Sequence, residues 1–284
     1  MDIAGAIDLH VHSSPDVYER SVDDVELVRE AAAAGMRAVL LKSHHTLTAD
    51  RATLAAKQVA GLEVFGGMAL NLTVGGLNPV AVETAIAFGA RQVWMPTLHA
   101  AHCLEVGELD MFRAEARKGR EGIRVVDADG KLRPEVSPVL EQIRDADIAL
   151  GTGHLAPEES LTLLGAARDM GITRTLVTHP LAEFTRFDVD QMKAAAALGA
   201  LLEFDYLSCS PRQPATAPPS RTARAIHAVG HDHCILATDG GQAFNPRPAR
   251  MLREFAEALL AEGVGEDEIR LMMCANPARI LKLE

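Results

Sequence analysis

The 284-residue chain is 48% hydrophobic and 24% charged, so it can bury a large core and falls outside the disordered class. Its formal charge of −11 disfavours nucleic acid and other partners held by phosphate neutralisation, and no apolar run approaches the ~18 residues of a membrane span. The start, Met1-Asp2-Ile3-Ala4-Gly5, lacks a signal-peptide pattern; a cytoplasmic protein acting on a small molecule is expected, and a homo-oligomer is compatible with this composition.

Taken in chain order, short β-branched or Leu-rich runs alternate with amphipathic helical segments, the pattern of βα units. The runs are Ile3–Leu9, Met36–Leu41, Leu62–Met68, Arg91–Met95, Ile148–Gly151, Thr173–Thr178, Gly199–Phe204 and Cys234–Thr238. The helices between them are Val22–Ala34, Ala49–Ala60, Pro79–Phe88, Pro134–Ala146, Pro157–Met170, Asp188–Leu198, Ser220–Val229 and Pro246–Ala261, three of them stopped by Gly35, Gly61 and Gly171. Eight such units predict the α/β class and a single (β/α)₈ TIM-type barrel over residues 1–284. Two stretches distort the rhythm. His99–Lys118 reads as a helical excursion and Arg124–Arg133, with its Asp-Gly turn, as a hairpin; together they form an insertion at about 99–133. Ser208–Ser220 is a Pro-rich loop over the seventh strand, placed like a lid. The four cysteines, Cys103, Cys209, Cys234 and Cys274, form no C-x-x-C pair and read as reduced thiols.

Barrel chemistry sits at the C-terminal ends of strands, which makes the placement of polar residues informative. His10 and His12 follow the first run, Lys42, His44 and His45 the second, His99 the fourth, His154 the fifth, His179 the sixth and Asp239 the eighth. His227, His231 and His233 fall elsewhere. Alternate residues of an extended segment point the same way, so both imidazoles of His10-Val11-His12 can reach one ion. Imidazole with carboxylate suits Zn first, with Mn, Fe or Ni as alternatives, and one or two ions. Asp8 is placed to orient a ring of that pair. His154 follows Gly151-Thr152-Gly153, His179 precedes Pro180, and Asp239 ends an apolar strand, where a carboxylate is costly unless paired or metal-bound. Lys42 closes an apolar run and can hold an anion, act as an acid or bridge two metals after carbamylation. At most one of His44 and His45 can be a ligand. Glu203 and Asp205 share one face whose direction the sequence leaves open. His99, and Arg212 and Arg247 in Pro-rich loops, are candidates to hold substrate.

These motifs resemble the amidohydrolase superfamily of metal-dependent hydrolases, with His-x-His on strand one, His on strands five and six and Asp on strand eight. The ending Asn276-Pro277-Ala278-Arg279-Ile280-Leu281 is similar to the Asn-Pro-Ala helix that closes many such chains. The resemblance implies His10, His12, His154, His179 and Asp239 as ligands, with Asp239, His179 and Lys42 as catalytic groups and Asp239 taking the proton from the attacking water. It implies hydrolysis of an amide, cyclic amide, lactone or related ester. Where two-metal members carry a bridging Lys or Glu on strand four, this chain reads Val93-Trp94-Met95-Pro96-Thr97, which favours one metal and would leave His179 to substrate or water.

Asp8-Leu9-His10-Val11-His12, Lys42-Ser43-His44-His45 and Thr178-His179-Pro180 also resemble the polymerase-and-histidinol-phosphatase family, which would make His44 a ligand and the reaction phosphoester cleavage. Against it, the third strand lacks an acid at its end and Asp239-Gly240-Gly241 stands where Asp-x-His is expected. A metal-dependent decarboxylase is the remaining alternative, since one fold hosts several reactions.

Overall fold

The computed structural model describes residues 1–213 and 217–283. Residues 214–216, within the expected Ser208–Ser220 loop, lie outside the described residues. Eight parallel strands follow one another around the sheet in chain order: β1 (Ile7–Val11), β2 (Ala38–Leu41), β3 (Glu63–Ala69), β4 (Gln92–Trp94), β5 (Ala149–Gly151), β6 (Thr175–Thr178), β7 (Leu201–Asp205) and β8 (Cys234–Ala237). They form the expected (β/α)₈ barrel. Except at the start of β3, every strand residue is buried, as a parallel sheet covered by helices requires.

The outer layer comprises α1 (Asp24–Ala33), α2 (Ala49–Ala56), α3 (Pro79–Ala87), α4 (Ala101–Val106), α5 (Asp110–Ala116), α6 (Val136–Ala146), α7 (Pro157–Asp169), α8 (Val189–Ala197), α9 (Pro219–Val229) and α10 (Pro248–Ala261). Capping boxes at Asp23/Glu26 and Asp188/Gln191 start α1 and α8, and proline opens α3, α7, α9 and α10. In the expected insertion, α4 and α5 are the helical part. The hairpin reduces to one antiparallel bridge, Val126–Leu132, around the Asp129-Gly130 turn. The chain ends in α11 (Glu266–Arg270), a π-helical turn at Leu271–Ala275 and α12 (Asn276–Leu281).

One boundary shift matters for the site. The first run was expected to be extended from Ile3, but Ala4-Gly5 turns back to bond Gly35, and β1 begins at Ile7. His10 therefore lies inside the strand and His12 one residue beyond it. Barrel closure between β1 and β8 is partly made by a side chain. The Asp8 carboxylate accepts from Thr238 N at 3.1 Å and Thr238 Oγ1 at 2.6 Å, and His12 N then donates to Gly240 O at 2.8 Å.

The barrel interior is packed with Ile7, Leu9, Leu40, Trp94, Leu176 and Ile235, and Ala278, Ile280 and Leu281 of α12 extend that cluster. Asn276 anchors α12 by donating from Nδ2 to Cys234 O at 2.7 Å and His231 O at 3.0 Å, at the start of β8. This floor is mainly hydrocarbon, each buried Leu or Ile contributing about 2 kcal/mol relative to exposure. Apart from Gln92 at the start of β4, the polar groups of the interior gather at the opposite end.

Candidate metal centre

His10 and His12 alternate along extended backbone and project together, their ring centroids 5.4 Å apart. Both Nε2 atoms lie 3.1 Å from one oxygen, Asp239 Oδ1. The other oxygen, Oδ2, lies 3.6 Å from His179 Nε2. Asp239 and His179 sit in the left-handed backbone region, at φ of 45° and 52°, where non-glycine residues are uncommon and functional sites store strain. Two glycines make the arrangement possible. A Cβ on Gly241 (φ 117°) would fall 1.9 Å from His12 O, and one on Gly153 (φ 62°) would fall 2.3 Å from Met95 O. Only a residue without a side chain lets the loops beside His12 and before His154 approach this closely.

Each imidazole is held from behind through Nδ1. His10 pairs with Glu203 Oε1 at 2.6 Å and His179 with Asp205 Oδ2 at 2.8 Å, so the β7 face left open by the sequence points inward. His44 Nδ1 meets Thr97 Oγ1 at 2.9 Å, His154 Nδ1 meets Cys103 Sγ at 3.5 Å, and His12 Nδ1 lies 3.2 Å from Arg20. Tethering one ring nitrogen orients the other and fixes its role. Lys42 Nζ, over the Trp94 ring at 5.3 Å, reaches His10 Nε2 at 2.8 Å.

Among the described residues, three clusters have ligand atoms mutually within 4.8 Å: His10/His12/Asp239, His10/His179/Glu203 and His179/Asp205/Asp239. Imidazole nitrogens with carboxylate oxygens form a donor set that fits a divalent cation. His44 and His154 belong to none of these clusters, although both line the same cavity and His154 Nε2 is buried without a partner.

Electrostatics divides the groups further. Burial, with Arg20 adding to it, lowers His12 to about 3. Burial likewise holds His44 and His154 well below the usual imidazole value, so all three are neutral at pH 7. Burial and Lys42 act in the same direction on His10, but Asp239 and Glu203 outweigh them and raise it to about 9. Burial lowers Lys42 to about 8 despite the same carboxylates. Burial alone would raise Asp239, yet His10 and His179 hold it well below the carboxylate range.

Several expected roles are not met. Arg247 is exposed and tied to Glu26 and Glu30 of α1, because at the start of α10 its side chain runs along the outside of the barrel. Arg212 is exposed and absent from the described cavity lining, where its neighbour Gln213 is present. His99 is buried against Glu115 of α5 at 3.3 Å, fastening the insertion to the barrel. Asp8 orients no ring; it is spent on Thr238 and on His10 N at 3.2 Å. His45 turns to Asp16 at 3.6 Å. Cys209 and Cys234 are buried, with thiols pushed up to about 12 by burial, and Cys103 is the cysteine beside the site. Sequence reasoning missed Asn71, Thr97 and the Asp16–Arg20 pair (2.8 Å). Asn71 lies two residues past Ala69, the end of β3, and Thr97 three residues past Trp94, strand-end positions that could have flagged both.

The cavity above these groups has a volume of about 410 Å³. Its floor includes His12, His44, His154 and Asp239, and its walls include Leu109 and Phe112 of the insertion, Phe184 after β6 and Phe244 after β8. Phe112 and Phe184 pack on His154 at 5.8 and 4.5 Å between centroids.

The fold is shared with solved structures of low sequence identity. An amidohydrolase from Pseudomonas aeruginosa is 14% identical with a TM-score of 0.66, covering 98% of this chain and 96% of its own. A TatD homolog from Escherichia coli K12 is 15% identical with a TM-score of 0.59, covering 99% and 100%. An organophosphorus hydrolase from Deinococcus radiodurans is 13% identical with a TM-score of 0.59, covering 99% and 93%. No curated protein matches the chain. Residues 5–203, from β1 to the glutamate behind His10, match one family model, and the chain belongs to that family, a family of unknown function (DUF6282).

Proposed function

We propose that this protein is a metal-dependent hydrolase that holds one divalent cation, zinc by preference, between His10, His12 and Asp239 and cleaves an amide, cyclic amide, lactone or related ester. The observation that carries the reading is the convergence of two buried imidazole Nε2 atoms on one carboxylate oxygen, each at 3.1 Å. The likeness to hydrolases of the same fold supports it. A cation in such a site lowers the pKa of water toward ~7 and polarises a carbonyl.

The chain's own residues then have defined tasks. Lys42 must release His10 Nε2, and Arg20 Nη2, a donor 3.2 Å from His12 Nδ1, must turn from that nitrogen while Asp16 holds its Nε at 3.0 Å, so that His12 can carry its proton on Nδ1 and leave Nε2 bare. Asp239 Oδ2 takes the proton of the attacking water, and His179, held by Asp205, lies beside that oxygen to steady it. Glu203 keeps the His10 ring aimed. The apolar walls exclude bulk water once substrate fills the cavity.

The cavity favours a carbonyl compound over a phosphoester. Arg20 is the one cation among its described lining residues and is engaged by Asp16, while Glu19 and Asp110 add negative charge. A phosphate group would call for several free cations, whereas an apolar acyl or aryl body suits Leu109, Phe112, Phe184 and Phe244. The test is elemental analysis of the purified protein, then assay of chelated and zinc-reloaded samples on γ-lactones and aryl esters in ¹⁸O water. The expected result is about one ion per chain, activity lost with the ion and restored by zinc, and one solvent oxygen in the product. Full activity without metal, or carbon dioxide as product, would overturn it.

A further inference from the structure

The polar contacts around Asn71 determine where a proton sits in the cavity. Asn71 is fully buried, and its amide oxygen accepts from two backbone N–H groups, Thr97 N at 3.0 Å and His99 N at 2.9 Å. Backbone nitrogens can only donate, so the amide orientation is decided by chemistry: Oδ1 faces them and Nδ2 faces the other way. The two Nδ2 hydrogens go to His44 O at 2.8 Å and to Thr97 Oγ1 at 2.6 Å. All four hydrogen-bonding positions of Asn71 are thereby used.

Thr97 Oγ1, having accepted from Asn71, still has its own hydrogen to place. Among the described contacts its one remaining partner is His44 Nδ1 at 2.9 Å. Nδ1 must then be the acceptor, which leaves the ring's hydrogen on Nε2. His44 lines the cavity, its ring stacked on His12 at 4.9 Å and edge-on to His154 at 5.7 Å between centroids.

From this chain of donors we infer that His44 presents an Nε2–H donor to the substrate and is not a metal ligand. The chain runs from two backbone amides through Asn71 and Thr97 to the ring. A nitrogen that carries hydrogen has no lone pair for a cation, and it can grip a carbonyl oxygen that gains charge as water attacks. Asn71 and Thr97 are positioning residues that act through His44. The role in binding carbonyl substrate rests on the hydrolase reading above; the tautomer does not.

The experiment uses the full-length, zinc-loaded protein labelled with ¹⁵N-histidine. Long-range ¹⁵N–¹H correlation is expected to show His44 with an unprotonated Nδ1 and a protonated Nε2. Thr97→Val should let the Nδ1–H form appear, and Thr97→Ser should restore the original pattern. Zinc titration of His44→Ala is expected to leave the affinity within about threefold of wild type, whereas loss of a ligand or its orienting partner costs tenfold or more. A protonated Nδ1 in the wild type, or a tenfold loss of zinc affinity in His44→Ala, would overturn the inference. A wild-type protein that takes up no zinc would sink the hydrolase reading instead, while the tautomer measurement would still decide the question for His44.

Discussion

The two sides of the barrel mouth are built from the same residue, histidine, but from different partners. On the side of β1, β6, β7 and β8, His10 and His179 back onto the carboxylates Glu203 and Asp205, and Asp239 stands between the rings. On the side of β2, β4 and β5, His44 and His154 back onto a hydroxyl and a thiol, and burial keeps both neutral. Carboxylates behind imidazoles raise their basicity and compensate a cation, whereas neutral partners leave an imidazole as a hydrogen-bonding group. The difference teaches that what stands behind a ring separates His10 and His179 from His44 and His154, whereas His12, with Arg20 behind it at 3.2 Å, has its place in the proposed site from its Nε2 contact with Asp239.

The sharpest way to break this comparison is to delete one ring from each side. His10→Ala should remove bound zinc and lower kcat/KM by about 10³-fold or more, measured by elemental analysis and assay. Equal zinc loss on removing His154 would erase the distinction. Phe112→Ala takes away the apolar wall behind His154 and should cost about 3 kcal/mol in denaturant unfolding, with zinc stoichiometry unchanged; coupled loss of zinc would show that the neutral side also builds the metal site.

A smaller effect is expected behind His10, where Glu203→Gln should weaken zinc about 10- to 100-fold, read by competition with a chromogenic chelator. Cys103→Ser, the corresponding change behind His154, should leave zinc affinity unaltered. A pH-dependent effect on stability alone is expected at the β1–β8 seam. Burial raises Asp8 to about 7 despite its three hydrogen bonds, so the folded state favours the protonated carboxyl. That contribution is fully present below the unfolded value near 3.8 and is lost as pH rises through about 7. Asp8→Asn should match wild type near pH 4 to within about 1 kcal/mol and become relatively more stable up to pH 7, followed as Tm against pH. Parallel profiles would show that Asp8 is not the titrating group.

The period of the hydrophobic runs and the helix-opening prolines placed the βα units within a few residues, because both signals are local. Where they failed, at Ile3–Ala6, a turn made by Gly5 with Gly35 overrode a strand-like run through a contact 30 positions away. The candidate ligands were legible for the same reason the strands were: His10, His12, His179 and Asp239 end apolar runs, and a polar group there must face the mouth. The substrate arginines were not, since Arg212 and Arg247 sit in loops whose direction no local pattern sets.

By itself the sequence determined the barrel, the end at which its chemistry lies and the residue types gathered there, all consequences of side-chain periodicity. Only the tertiary structure decided which atoms face each other. Glu203 behind His10, Asp205 behind His179 and Asn71 with Thr97 behind His44 are pairs separated by 26 to 193 positions, joined by closing the sheet. The roles of the imidazoles depend on those partners because hydrogen bonding and burial, which set where a proton sits, act through space and not along the chain.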